Sequence, residues 1–407
     1  MGKNYVCFHR ETDTSLVAEN IDELFELHHK AVKFLEDYTG IMEPFGDFEF
    51  TIIPAFQYSG MEHPGNIYYR DSKLFLPKGA TESDIMSRAS LIAHETAHLW
   101  FGDLVTMRWF SDVWMKEVFA NYFAAMIVNP NYPNVNHDLL FMLKHQPLSY
   151  GIDRTAGANP IQQPLDNLNF AGTLYGNIIY YKAPIVFKML HQTAGDSIFK
   201  ESIRKYLQKY SYGNADWDEL IAVFEAHNLP NVGNWSNAWV KEPGMPKVSY
   251  LVTDTAIIIT NKNSVPNTRL KQQQLEIVLS YKSKVEFKTV TLDKNRLAVP
   301  LNSKEKPEYI LLNGSGYEYG YFPADSVSKH YFLTNFSLIQ SDLQRGIVLL
   351  NQYEDFINKQ IKKDDYSKFL HQVIKNETSV HLLDVAVNQL KTVCNQFNQP
   401  GKVDTAT

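Results

Sequence analysis

His94-Glu95-Thr96-Ala97-His98-Leu99-Trp100-Phe101-Gly102 is the stretch from which the rest of the chain can be ordered. Residues 83–101 carry apolar positions at helical spacing, with Ser83 as the expected cap. Residues four apart on a helix project from one face, so the imidazoles of His94 and His98 point the same way. That arrangement offers a tetrahedral zinc two neutral nitrogen ligands. Glu95 lies one step round the helix, where it can reach a water at the metal without ligating the metal. A catalytic site needs a third protein ligand and keeps its fourth position open. Glu117, in Trp114-Met115-Lys116-Glu117-Val118-Phe119-Ala120, is the candidate. A lone glutamate in such an apolar run must be exposed, paired or metal-bound. An antiparallel helix pair linked by a loop near Gly102–Asp112 would bring it beside the two histidines. The plain alternative is a pair of helix histidines and a solvent-facing glutamate with no metal between them.

The bulk composition is compatible with an enzyme. The 407 residues are 44% hydrophobic, enough for two or three domains. Charge is balanced at 39 basic against 45 acidic residues, net −6, without the basic surface a nucleic-acid binder needs. No apolar run reaches membrane-span length; Ile257-Ile258-Ile259 is strand-sized. The first residues, Met1-Gly2-Lys3-Asn4-Tyr5, hold no signal-peptide core, and the compartment stays open. The two cysteines, Cys7 and Cys394, read as free thiols rather than a long-range bridge, so the metal site cannot be a cysteine site.

Around the metal motif the chain divides by texture. A helix is expected over 20–38 with Asn20 as its cap, then a strand over Phe48–Ile53. A turn-rich segment follows, Gln57-Tyr58-Ser59-Gly60-Met61-Glu62-His63-Pro64-Gly65, and strand and hairpin material over Ile67–Leu76. A third helix is expected from about Asp112 to Val128, with helical patterns continuing to about 245. Residues 247–322 hold short β-branched runs separated by turns, as in a small β-sandwich. Helix returns after about Ser328, and a polar tail, Asn398–Thr407, is expected to be disordered. The expected class is α+β, with domains at 1–246, 247–326 and 327–407.

His94-Glu95-Thr96-Ala97-His98-Leu99-Trp100-Phe101-Gly102-Asp103-Leu104-Val105-Thr106-Met107, followed by Trp114 and Glu117, resembles the M1 family of zinc aminopeptidases, the gluzincins that include aminopeptidase N and leukotriene A4 hydrolase. Ser59-Gly60-Met61-Glu62-His63 resembles the family's Gly-Ala-Met-Glu-Asn exopeptidase motif and continues into Gly65-Asn66-Ile67-Tyr68-Tyr69-Arg70 much as the family does. Tyr180-Tyr181-Lys182-Ala183 resembles its tyrosine motif, and Trp239–Pro246 the end of its catalytic domain. The resemblance implies a thermolysin-like, mostly helical catalytic domain, a small β-sandwich and a partial helical C-terminal region. It also implies a fragment without the family's N-terminal β-domain, a domain that would help complete the site.

On that resemblance one Zn²⁺ is held by His94, His98 and Glu117, Glu95 is the general base, and Tyr180 donates to the oxyanion. From the residues alone, Tyr175, Tyr180 and Tyr181 are equal candidates for that last role. Glu62 would bind the free α-ammonium of a peptide substrate, while Gly60 and Met61 let its backbone approach. Ser59 and His63 depart from the motif; Val118 stands where the family has glycine, and Ala124 where a glutamate supporting a ligand is common. A ligand histidine normally donates its other N–H to an acceptor, and Asn121 is the candidate. Three functions follow: an aminopeptidase, a thermolysin-like endopeptidase with a structural Glu62, or a peptide binder without turnover.

Overall fold

The computed structural model describes residues 4–227, 229, 231–303 and 305–397. The expected disorder of Asn398–Thr407 lies outside the described residues. The chain forms two compact units, 1–135 with 160–241, and 136–159 with 242–407. The first therefore lacks residues 136–159 and 242–246 of the expected 1–246 span, and the second holds these with the expected 247–326 and 327–407 segments.

In the first unit, β1 (Tyr5–His9) leads into α1 (Thr14–Thr39), then β2 (Phe48–Ile53), β3 (Gly60–Met61) and β4 (Asn66–Arg70). The strands lie in the order β1-β2-β4-β3, parallel except for β3, which runs antiparallel to β4 along one edge. Phe48, Phe50 and Ile52 alternate inward along β2, as expected for a strand with one buried face. Three expectations need correction. Helix α1 starts ahead of residue 20, because Asp13 accepts from the Ser15 and Leu16 N–H groups. Asn20 is instead a buried connector, accepting from Leu76 N and Arg88 Nη1. The expected hairpin past Arg70 is a single helical turn, α2 (Asp71–Leu74).

Helix α3 (Glu82–His98) is capped by Thr81, not Ser83: Thr81 and Asp84 exchange side-chain-to-backbone hydrogen bonds in a capping box. After β5 (Val105–Met107) comes α4 (Val113–Val128). Helices α1, α3 and α4 share a cluster of small buried residues, Ala31, Ala89, Ala93 and Ala124, with Val128. Small side chains let helix axes approach closely, which explains an alanine at 124. Phe101, just past α3, stacks on Phe119 and Phe123 of α4 with ring centroids 4.7 and 4.6 Å apart. These contacts set α4 against the C-terminal end of α3.

Helix α5 (His137–Asp153) belongs to the second unit. The first unit resumes at Pro160 and passes through a 3-10 segment, Leu168–Thr173, to a π-helical turn at Ile178–Lys182 that runs into α6 (Ala183–Tyr210), followed by β6 (Gly213–Ala215), α7 (Trp217–Ala226) and α8 (Val232–Val240). Strand β6 pairs in parallel with β5.

The second unit continues with β7 (Pro246–Val252), β8 (Ala256–Asn263), β9 (Gln273–Ser280), β10 (Val285–Leu292), β11 (Arg296–Pro300) and β12 (Tyr309–Leu311). They form two three-stranded antiparallel sheets, β11-β8-β7 and β10-β9-β12, whose inward residues share one core of Val248, Ile257, Ile259, Leu275, Ile277 and Leu279. Helices α9 (Ser326–Asn335), α10 (Asp342–Ile357), α11 (Lys363–Asn376) and α12 (Val380–Phe397) follow. Leu139 and Met142 of α5 are buried in the same apolar cluster as Ile347, Val348 and Leu382. Among the described residues no helix is long and apolar enough to cross a membrane, and both cysteines are free.

Glu318 in this unit gives a first prediction. Its buried carboxylate accepts from Glu276 N at 2.8 Å and Ser315 Oγ at 2.9 Å, yet burial outweighs these bonds and pushes its pKa from 4.5 up to about 7. The folded protein thus keeps a proton that the unfolded chain has released, so stability falls as pH rises from 4.5 through 7. Glu318→Gln is expected to flatten that slope, reducing the stability lost between pH 5 and pH 8 by roughly 1–3 kcal/mol. Urea denaturation at the two pH values measures it; equal losses in both chains would mean that Glu318 is ionised throughout.

Candidate active site

The site is built from the last turn of α3, the first turns of α4 and the edge strand β3. His94 and His98 lie one turn apart on one face of α3 with their Nε2 atoms 3.1 Å apart. His98 is buried, and its Nδ1 donates to the Phe101 carbonyl at 3.0 Å, which fixes the ring and turns Nε2 toward His94. That carbonyl is the acceptor expected from Asn121; the Asn121 amide instead donates to Glu117 O within its own helix. Glu117 brings Oε2 to 3.7 Å from His94 Nε2. A carboxylate oxygen of Glu95 lies within 4.8 Å of donor atoms on both histidines. Four groups with metal-ligating atoms therefore converge, two imidazoles and two carboxylates.

The two carboxylates differ in setting. Glu95 is 5% exposed, and burial, with Glu62 and Glu117 adding repulsion, raises its pKa well above the ordinary carboxylate value. It lies against Gly60 of β3: a Cβ built on Gly60 would fall 2.6 Å from Glu95 Cγ. Only glycine lets the strand pass so close to this side chain. The loop leading to Gly60 is held by Arg70, which donates to the carbonyls of Phe56 and Gln57 at 2.6 Å each. Met61 pairs with Tyr68 across β3 and β4, and the His63 ring packs edge-on to Tyr68.

Glu62 sits just past this strand, largely buried. Burial pushes its carboxyl up, but the neighbouring His98 and Lys116 outweigh it and hold the pKa at about 2. Lys116 Nζ donates to Glu62 Oε1 at 2.5 Å and lies 3.7 Å from Glu117 Oε1. Burial opposes the charge on Lys116, but Glu62 and Glu117 together raise its pKa. Asp103, in the loop after α3, completes the charged cluster. Burial first, then Glu62, pushes its carboxyl up to about 8, and its Oδ2 has no hydrogen-bond partner among the described residues. Lys116 and Asp103 both escaped the sequence reading. Nothing local marks either one, since each matters only through contacts between distant segments.

Tyr180 lies on the π-helical turn, half-exposed, its ring stacked on Tyr175 with centroids 6.2 Å apart. Burial and then the Glu117 charge push its pKa up to about 12, so the phenol keeps its proton and can donate at neutral pH. Tyr175 also feels Lys116, Glu117 and Glu62. Two of the three candidate tyrosines thus border the acidic cluster.

The arrangement can hold a cation between imidazole and carboxylate donors, move a proton at Glu95 and bind a positive group at Glu62. The chain is similar in sequence to known proteins. The chain is 32% identical over 222 residues to a puromycin-sensitive aminopeptidase of Caenorhabditis elegans, covering 54% of this chain and 23% of that protein. It is 24% identical to an aminopeptidase N of Streptomyces lividans over 94% of this chain and 47% of that one. It is 24% identical to a leucyl aminopeptidase of Saccharolobus solfataricus over 72% and 37%. The chain spans less than half the length of each of these relatives. The Peptidase family M1 domain profile matches residues 24–239. That match runs through β3, α3, α4 and the tyrosine turn and covers more than half of the 407 residues, so the chain belongs to peptidase family M1.

Proposed function

We propose that this chain is the catalytic part of a zinc aminopeptidase that hydrolyses the N-terminal bond of peptides. The observation that carries the reading is the placement of the Glu62 carboxylate beside the His94–His98–Glu117 donor set. The donors fit zinc: ligands at about 2.0–2.1 Å in a tetrahedron stand roughly 3.3 Å apart, and the two imidazole nitrogens face each other at 3.1 Å. His94, His98 and Glu117 would hold the ion. When bound, zinc lowers the pKa of water and polarises a carbonyl.

The chain's own groups do the rest. Glu95, enclosed and basic, takes the proton from the attacking water and passes one to the leaving amine. Tyr180 donates its O–H to the developing oxyanion. The edge strand β3 offers its backbone at Gly60 and Met61 to an extended peptide, in the manner of an added strand. Glu62 fixes the register by pairing with the α-ammonium, so cleavage falls one residue in. The aminopeptidase names of the relatives support the same substrate class. The thermolysin-like fold of the first unit and the contribution of a further N-terminal domain to the site belong to this proposal.

Glu62→Ala tests it. The variant is expected to lose about 10–10²-fold in kcat/KM on L-leucine arylamide, the worth of a charge-assisted hydrogen bond, while its rate on N-blocked peptides, low in the wild type, does not change. Equal activity of both chains on the free-amine substrate would favour the endopeptidase reading. Zinc that binds at one equivalent without any turnover would leave a peptide binder.

A further inference from the structure

Lys116 is a cation already seated on the amine-binding carboxylate. Its Nζ lies 2.5 Å from Glu62 Oε1, with side-chain exposures of only 21% and 13%. A second carboxylate, Glu117, flanks it at 3.7 Å. An α-ammonium arriving at Glu62 would meet this cation at the same carboxylate, and two ammonium groups at one partly buried carboxylate repel each other strongly. Gly102 borders the lysine stem: a Cβ there would fall 3.5 Å from Lys116 Cβ, an ordinary contact, and 3.3 Å from His98 Nδ1. A lysine's four-carbon stem is flexible and its three donors rotate, unlike the rigid fork of an arginine. A vacant acceptor lies in the same cluster: Asp103 Oδ2 is buried without a hydrogen-bond partner among the described residues, and its carboxyl feels the Lys116 charge.

We propose that Lys116 is a built-in competitor for Glu62: its ammonium occupies the place of a substrate α-ammonium, and free-amine ligands bind only by displacing it. The proposal rests on the aminopeptidase reading, in which Glu62 is the amine anchor. It makes Lys116 a specificity-determining residue. The lysine weakens the preference for free N-termini over blocked ones and neutralises Glu62 between substrates.

Binding to the metal-free chain tests the proposal without turnover. L-Leucinamide and N-acetyl-L-leucinamide are titrated calorimetrically into the wild type, Lys116→Met, Lys116→Gln and Glu62→Gln, with thermal unfolding as the check on folding. Either lysine variant, whichever unfolds like the wild type, is expected to bind leucinamide at least tenfold more tightly and the acetylated ligand within about twofold of the wild type. Amine-selective binding that depends on Glu62 but is unchanged or weaker without Lys116 overturns the proposal alone; the lysine would then position Glu62. Equal binding of the two ligands in every chain overturns it together with the aminopeptidase reading.

Discussion

Glu95→Gln is expected to leave zinc binding at one equivalent and to lower peptide hydrolysis by about 10²–10⁴-fold, the usual worth of a positioned general base. The substitution keeps the shape of the side chain and removes its ability to accept a proton. Shape matters because Glu95 fills the space against Gly60, where its Cγ stands 2.6 Å from the point a Cβ would occupy. The proposed ligand set of His94, His98 and Glu117 is untouched, and the His98 bond to Phe101 O stays in place. Metal analysis and arylamide kinetics on the same preparation separate the two effects. Zinc lost along with activity would make Glu95 a ligand, a role its closeness to both histidines allows. Unchanged activity would remove it from the chemistry.

Gly60→Ala is expected to act on the same group from the other side. The added methyl would overlap the Glu95 side chain, so either β3 or Glu95 must shift. Overpacking of this kind costs about 1–3 kcal/mol, and a catalytic group displaced by about 1 Å can cost 10²-fold in rate. The variant should therefore melt several degrees lower and lose about 10²-fold in kcat while retaining zinc. Wild-type kcat in a folded Gly60→Ala chain would show that Glu95 can rotate aside without penalty.

The proposed histidine donors are legible in the sequence because their geometry is local. Four residues on a helix fix where His94 and His98 point, whatever the rest of the fold does. Glu117 was legible by its apolar setting, since a carboxylate among Trp114, Met115, Val118 and Phe119 needs a partner. Lys116 sits in the same stretch, but its meaning comes from a contact across 54 residues of chain, which periodicity cannot carry. The same limit explains Asn121: its spacing from Glu117 suits a support for a ligand, but its amide satisfies the helix carbonyl one turn back. Two helix starts were missed for another reason. The signals were present, Asp13 before Ser15 and Leu16, and Thr81 three residues before Asp84, but Asn20 and Ser83 are equally good cap types read in isolation. The inward alternation of Phe48, Phe50 and Ile52 was legible because a half-buried strand writes it into every second residue.

The chain leaves the first unit to form α5 in the second and then returns, so the backbone passes between the units three times, near 135, 160 and 241. Gln146 of this helix donates to the carbonyls of Gly316 and Glu318, and Tyr319 donates to Asp153. On a ribosome the first unit cannot close until residue 241 has emerged, and by then α5 has waited exposed for a partner not yet made. Neither unit can be obtained by a single cut. A piece ending at 135 lacks α6 to α8, and one starting at 242 lacks the helix that buries Leu139 and Met142. The two units are thus separate as packed bodies and inseparable as stretches of gene.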